Sequence, residues 1–221
     1  MKKLLVLLAL TSVALVGLSS MAGAAISIPL GIGNAALSGF PPDYGVVEIA
    51  LNSPTMAHII LDALVGKGPN QYLFGDGGSV ALNVNGPFSI GGISGSGTGT
   101  GFTPGPYSNG GAGTEDGFGT FNLTINSFDG FTHASQRIEF DLFKSSGTWS
   151  SESDILTPNA DGFMAAAHIF VTPFPADAAN GALTTGFAAN GETTATPEPA
   201  TMLLLGLGIA GVEIVRRRAK R

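Results

Sequence analysis

Two histidines in similar contexts are the first residues whose types and spacing could do chemistry. His58 lies in the segment AHII and His168 in AHIF. If both segments are strands, each imidazole points away from its aliphatic neighbours, and the two could meet across a sheet and bind a metal ion with Asp62. We favour the simpler interpretation, a hydrogen-bonded and partly buried histidine in each strand, because the sequence leaves the strand register open.

Carboxylates in glycine-containing turns form a second group of candidate ligands. Asp76 lies in GDGG, Asp116 in TEDG and Asp161 in PNADG, and turns of this kind often gather oxygen ligands for calcium. The same side chains also accept hydrogen bonds from the backbone of their own turn, which requires no ion. Since none of the three has the spacing of an EF-hand loop, we favour turn residues and predict no cofactor, with calcium as the ion to test.

Nucleophilic and sugar-stacking chemistry have weaker support. No serine lies in a GxSxG motif and the chain has no cysteine, so we predict no catalytic residue. The single tryptophan, Trp149, and the tyrosines Tyr44, Tyr72 and Tyr107 could form a platform for sugar rings or could equally anchor a core.

The elements that must position these residues are short strands. Apolar runs are broken by Gly, Pro, Asn and Asp, and in RIEFDLF the residues Ile138, Phe140 and Leu142 alternate with charged ones. The segment TMAHIILDALV also fits an amphipathic helix, but Pro54 before it and glycines after it favour an extended chain. We predict strands at 46–51, 56–64, 72–74, 80–84, 119–125, 137–143 and 163–171. The expected fold is all-β, an antiparallel β-sandwich of which the jelly roll is one form.

The segment 91–117, GGISGSGTGTGFTPGPYSNGGAGTEDG, is dominated by glycine. Such a chain buries little apolar surface and loses much conformational entropy when it becomes ordered. It contains a GxGxG pattern, but no lysine and no helix follow, which argues against phosphate binding. We therefore predict a long surface loop.

The N-terminal residues have the pattern of a secretory signal peptide. Lys2 and Lys3 precede an apolar stretch over 4–18, and the small residues Ala22 and Ala24 form a signal peptidase site. We expect a signal helix over 1–24 that is cleaved after Ala24 or, as a second choice, after Ala25. The domain that follows, residues 25–192, is then exported.

An apolar run of 16 residues, 200–215, lies near the C-terminus. As a helix it spans about 24 Å, less than the roughly 30 Å hydrocarbon core of a bilayer. Glu213 within it stands one turn from Arg217, with which it can pair. A basic cluster follows and predicts a cytoplasmic C-terminus. The cluster consists of Arg216, Arg217, Arg218, Lys220 and Arg221.

Residues 193–221 resemble a PEP-CTERM sorting signal. The motif Pro197-Glu198-Pro199, the short apolar helix and the basic tail at 216–221 follow one another in that family's order, and Glu213 is a departure because the helix is usually uncharged. The resemblance implies that exosortase, a membrane-embedded cysteine transpeptidase, cuts near the motif and passes the body to the surface or matrix of a bacterium that makes exopolysaccharide. The body, in stretches such as GTFNLTINSFDGF, is similar to glycine-rich members of that family, which adds a location but no chemistry.

The charge of the exported part limits its partners. Residues 25–196 contain three basic and 14 acidic residues, a formal net charge of −11. A surface of this sign repels nucleic acid and anionic lipid headgroups and favours cations or neutral, hydroxyl-rich partners. Nucleic-acid binding is therefore excluded.

Two function classes stay open. We favour a non-enzymatic surface or matrix protein that associates with exopolysaccharide or with copies of itself. It would first be held in the inner membrane by its C-terminal helix and be processed by signal peptidase and exosortase. The alternative is an extracellular, metal-assisted hydrolase of matrix polysaccharide, which a pair of carboxylates on a concave sheet would favour.

Overall fold

The computed structural model describes residues 25–65, 68–97, 99–191 and 194–195. The expected signal helix, the Pro-Glu-Pro motif, the C-terminal apolar helix and the basic tail lie outside these residues. Among the described residues, no helix combines the length and hydropathy needed to cross a membrane. Their helical elements are single 3-10 turns at Ala35–Leu37, Phe131–His133, Glu152–Asp154 and Ala178–Asn180.

Antiparallel strands make up most of the ordered backbone. In chain order they are β1 (Ile26–Leu30), β2 (Ile32–Gly33), β3 (Gly45–Ser53), β4 (Met56–Ala63), β5 (Asn70–Phe74), β6 (Val80–Leu82), β7 (Phe88–Ser96), β8 (Ser108–Glu115), β9 (Gly119–Asn126), β10 (Arg137–Lys144), β11 (Ala165–Pro173), β12 (Thr184–Ala189) and β13 (Thr194–Ala195). Each of the seven predicted strands is present, and TMAHIILDALV forms the extended β4, as expected.

The strands form two sheets that pack as a sandwich, which confirms the predicted fold class. The first sheet has the order β13-β1-β3-β4-β10-β7. The second has the order β2-β12-β11-β6-β9-β8, and β5 pairs with the distal half of β11 beyond β6. The strands β7 and β8 therefore each lie at an edge, with one pairing partner.

The predicted surface loop over 91–117 is wrong for most of its length, because β7 and β8 occupy much of it. An edge strand is held by backbone hydrogen bonds to one neighbour, so it can form without side chains to bury. Here the absence of side chains is required. A Cβ at Gly95 would overlap the Tyr107 ring, and one at Gly113 would lie 2.6 Å from the Thr124 methyl group.

The main core lies between the sheets and is built by strict alternation. In β10, Ile138, Phe140 and Leu142 are buried, as predicted, while Arg137 and Asp141 point outward. The neighbouring strand β4 and the strand β11 of the facing sheet do the same. The inward residues of β4 and β11 are Ala57, Ile59, Leu61, Ala63, Ala165, Ala167, Ile169 and Val171. Two smaller apolar clusters are separate from this core, one around Phe118 and Phe121 and the other around Leu73 and Phe170.

Two phenylalanines of one strand test this alternation. Phe140 is 1% exposed and Phe143 is 38% exposed. We expect Phe140→Ala to lower the free energy of unfolding by about 3–5 kcal/mol, because it removes buried area and leaves a cavity. Phe143→Ala, the matched control, should cost less than about 1 kcal/mol. Urea unfolding followed by Trp149 fluorescence measures both, and equal losses would contradict the assigned inward face.

Candidate functional site

The two histidines lie on different sheets and do not meet. His58 is in β4 of the first sheet and His168 is in β11 of the second. The residues before and after each histidine point into the shared core. Both side chains therefore point outward, on opposite faces of the sandwich. The metal site suggested for His58, His168 and Asp62 is not formed, and no group of three or more potential metal ligands occurs among the described residues.

Each of these side chains has a local partner instead. The Nδ1 atom of His58 lies 2.8 Å from the Asp141 carboxylate on β10, its cross-strand neighbour. Asp62 accepts two hydrogen bonds from the Arg137 guanidinium, at 2.7 and 2.6 Å. His168 contacts the Thr185 hydroxyl through Nε2, and its ring stacks on the Phe187 ring, with centroids 4.6 Å apart and planes 16° apart.

Burial also affects the imidazole of His168. Its Nδ1 atom is buried and has no hydrogen-bond partner among the described residues. Burial lowers the pKa of His168, and the negative charge of Asp76 and a hydrogen bond to the backbone of Gly75 oppose that shift. Both histidines are thus hydrogen-bonded and partly buried, the interpretation favoured from the sequence.

The three turn carboxylates belong to separate local networks. Asp76 adopts a φ of 55° and accepts a hydrogen bond of 2.6 Å from the Gly130 amide. Asp116 accepts one of 3.1 Å from the Asn34 amide group. In the third turn Asn159 is the organising residue, because its Oδ1 atom accepts from the Asp161 amide at 3.0 Å. Asp76 and Asp116 are thus bonded to segments far away in sequence and not within their own turns, and calcium binding stays a prediction.

The aromatic residues considered for sugar stacking are core residues. Trp149 is 1% exposed and donates from Nε1 to the Asn85 carbonyl. Tyr44 and Tyr72 are buried and pack edge to face, with centroids 5.1 Å apart. Tyr107 is half-buried and hydrogen-bonded to Ser135. These four rings form no exposed platform.

A cavity of about 330 Å³ lies on the outer face of the second sheet. Leu123 and Ile125 of β9 face the main core, so Thr124 and Asn126, which line the cavity, point outward. The edge strand β8 has two irregularities in its pairing with β9 and also approaches β11, so it bends across this face. The remaining wall is mostly glycine. The glycines are Gly77, Gly78, Gly110 and Gly113.

Glu115, the last residue of β8, is the acidic group of this cavity. It is only 2% exposed, and its carboxylate lies against Gly78, where a Cβ would be 2.5 Å from Oε1. Among the described residues, no hydrogen bond or charge offsets the burial of this carboxylate, because desolvation is the one cause of its shifted pKa. Burial raises the pKa of Glu115 from 4.5 to about 7. Near neutral pH the group can therefore accept a hydrogen bond when ionised or donate one when protonated.

The calcium candidate of this turn, Asp116, is not the acid that lines the cavity. Glu115 and Asp116 are adjacent in TEDG, but Asp116 is exposed while Glu115 is buried. In a strand that ends at residue 115, side chains alternate between the two faces of the sheet. This alternation is the one sequence signal that could have distinguished a buried Glu115 from an exposed Asp116. Hydrolysis of a glycoside usually uses two carboxylates, and Glu115 is the single one that lines this cavity among the described residues. Among the described residues, this cavity therefore lacks the pair of carboxylates that glycoside hydrolysis usually uses.

Comparison with known proteins bears on the C-terminal segment. Residues 195–220 match the family model described as the PEP-CTERM protein-sorting motif, which confirms the resemblance seen in the sequence. A chain with this signal is exported through a membrane-anchored precursor and processed by exosortase. No curated protein and no solved structure matches the chain at a significant level.

The raised pKa of Glu115 predicts a pH-dependent stability. Because the folded state holds this proton more tightly than the unfolded state, its contribution to the free energy of unfolding falls as the pH rises from 4.5 to about 7. We expect Glu115→Gln to be about 3 kcal/mol more stable than wild type at pH 8 and no more stable at pH 4.5. Urea unfolding at both pH values measures the difference.

Glu48→Gln is the matched control, since Glu48 is exposed on the other sheet. It should change the free energy of unfolding little at either pH. A Glu115→Gln effect of the same size at pH 4.5 and pH 8 would show that the carboxyl is not held protonated by burial.

Proposed function

We propose that this PEP-CTERM protein is a non-catalytic surface protein whose acidic β-sandwich associates with neutral exopolysaccharide in the matrix. The observation that carries the proposal is the sorting motif at residues 195–220, which belongs to a route of export. A domain delivered to the surface by this route meets matrix polysaccharide as its nearest abundant partner.

Surface charge supports a neutral partner. The exported part carries a formal net charge of −11, and the outward row of β10 in the first sheet bears Glu139 and Asp141. Such a face is well hydrated and repels polyanions. Neutral sugars avoid this repulsion and offer hydroxyl groups that donate to carboxylates.

The route also assigns roles to the two ends of the chain. Signal peptidase would cut after Ala24, where Ala22 and Ala24 supply its small residues. The apolar run at 200–215 would then hold the precursor in the inner membrane, with the basic tail on the cytoplasmic side. Proline on both sides of Glu198 keeps the backbone extended, which would present this motif to exosortase.

The sorting motif can be tested with two tags, one before Thr196 and one after Arg221. Changing Pro197, Glu198 and Pro199 together to alanine should leave an unprocessed membrane protein that keeps both tags, because the extended recognition segment is lost. Immunoblots of membrane and medium fractions measure the outcome.

Replacing the five basic tail residues with serine is the companion variant. The apolar run is too short to stop transfer without them, so the chain should be released with both tags. Wild-type protein that kept the second tag in every fraction would show that the run is a lasting anchor.

Glycan association can be separated from catalysis in one preparation. The purified protein should be retained by neutral exopolysaccharide and should release no reducing ends from it, because the cavity offers a single carboxylate. Co-sedimentation with the polysaccharide and a reducing-end assay measure the two properties. Turnover above a heat-denatured control would support the hydrolase instead.

A further inference from the structure

We propose that the Glu115 cavity is a binding site for a single neutral sugar unit, recognised through its hydroxyl groups. The inference rests on the proposed surface function and deepens it by naming the site and the ligand class. Three features of the cavity carry it: an unpartnered buried acid, a complementary donor and an aromatic ring.

The unpartnered acid is the first feature. Glu115 is 2% exposed and its carboxylate lines the cavity, and among the described residues no hydrogen bond or opposite charge offsets its burial. Buried polar groups in folded proteins are nearly always partnered, and the exceptions call for an explanation. A ligand hydroxyl that donates to this carboxylate would supply the missing partner.

The second feature is a hydrogen-bond donor that also lines the cavity. The Oδ1 atom of Asn126 accepts a hydrogen bond of 2.8 Å from the Gly78 amide, which orients the side chain. Its Nδ2 group then faces the side where a Cβ at Gly110 would lie 2.6 Å away. Thr124 donates to the Gly111 carbonyl and keeps its oxygen as an acceptor. Acceptors and a donor thus line one cavity, as a hydroxyl-rich ring requires.

Glycine and phenylalanine complete the wall. Gly110 and Gly113 lie in an edge strand and pack closely on the cavity floor, since a Cβ at Gly110 would lie 2.6 Å from Nδ2 of Asn126 and one at Gly113 would lie 2.6 Å from the Thr124 methyl group. Phe187 lines the same cavity and is held in place by stacking on His168. A volume of about 330 Å³ lies at the small end of the roughly 300–1,000 Å³ typical of ligand pockets.

Other ligand classes fit these walls less well. An anion would meet the Glu115 carboxylate, and that contact is repulsive when the group is ionised. A calcium ion takes six to eight oxygen ligands, typically several of them carboxylates, whereas Glu115 is the one carboxylate among the described lining residues. A neutral polyhydroxyl ring uses donors and acceptors together.

The test titrates the full-length protein in detergent with methyl glycosides of glucose, galactose, mannose and N-acetylglucosamine. Saturation-transfer NMR reports contact, and calorimetry reports affinity. At least one glycoside should bind, and Glu115→Gln should weaken it about tenfold, because a charge-assisted hydrogen bond becomes a neutral one. Ala112→Phe, which places a ring in the cavity, should abolish binding, whereas Glu48→Gln should leave it unchanged.

The outcomes separate this inference from the proposed function. Binding of a glycoside that is equally strong in Glu115→Gln and Ala112→Phe would overturn the site while leaving the surface function in place. Retention by the polysaccharide without binding of any glycoside would also overturn the site and leave the surface function in place. A wild-type protein that neither binds a glycoside nor is retained by the polysaccharide would overturn both the site and the surface function. Uptake of ethylammonium in place of every glycoside, abolished by Glu115→Gln, would overturn the ligand class.

Discussion

The two sheets are held together by apolar burial without any covalent cross-link, and the rest of the structure depends on this constraint. The chain has no cysteine, so an exported domain of this kind must be stabilised by its core and its backbone pairing. The alternating rows of β4, β10 and β11 supply that core. Each of these strands commits one face to the interior, which leaves the other face free for a different environment.

The two outer faces use that freedom differently. On the first sheet, cross-strand pairs such as His58 with Asp141 and Asp62 with Arg137 cover the surface with hydrated charge. On the second, apolar rings such as Phe118 and Phe163 form an outer layer, and β8 bends across it. The cavity containing Glu115 therefore belongs to the second sheet, where an additional layer can enclose space.

Burying the Glu115 carboxyl without a hydrogen-bond partner among the described residues works against the stability of the surrounding fold. A desolvated carboxyl with a pKa near 7 destabilises the folded state when it is ionised. Local conflicts of this kind occur preferentially at functional sites, where recognition requires what stability does not favour. The glycines around Glu115 provide the room for its carboxyl, since a side chain at Gly78 would occupy the same space.

The sequence by itself determined the strand-rich class, the alternation of β10 and the sorting segment, because each is encoded in residues that are close together in the chain. Only the tertiary structure decided that β7 and β8 form in the glycine-rich segment. An edge strand is stabilised by hydrogen bonds to a neighbouring strand, and for β7 that neighbour is β10, far away in sequence. It also decided that His58 and His168 are separated, because the sheet to which a strand belongs is not a local property. Glu115 differs from Asp116 for the same reason: its burial depends on Gly78, which the bend of β8 brings against it.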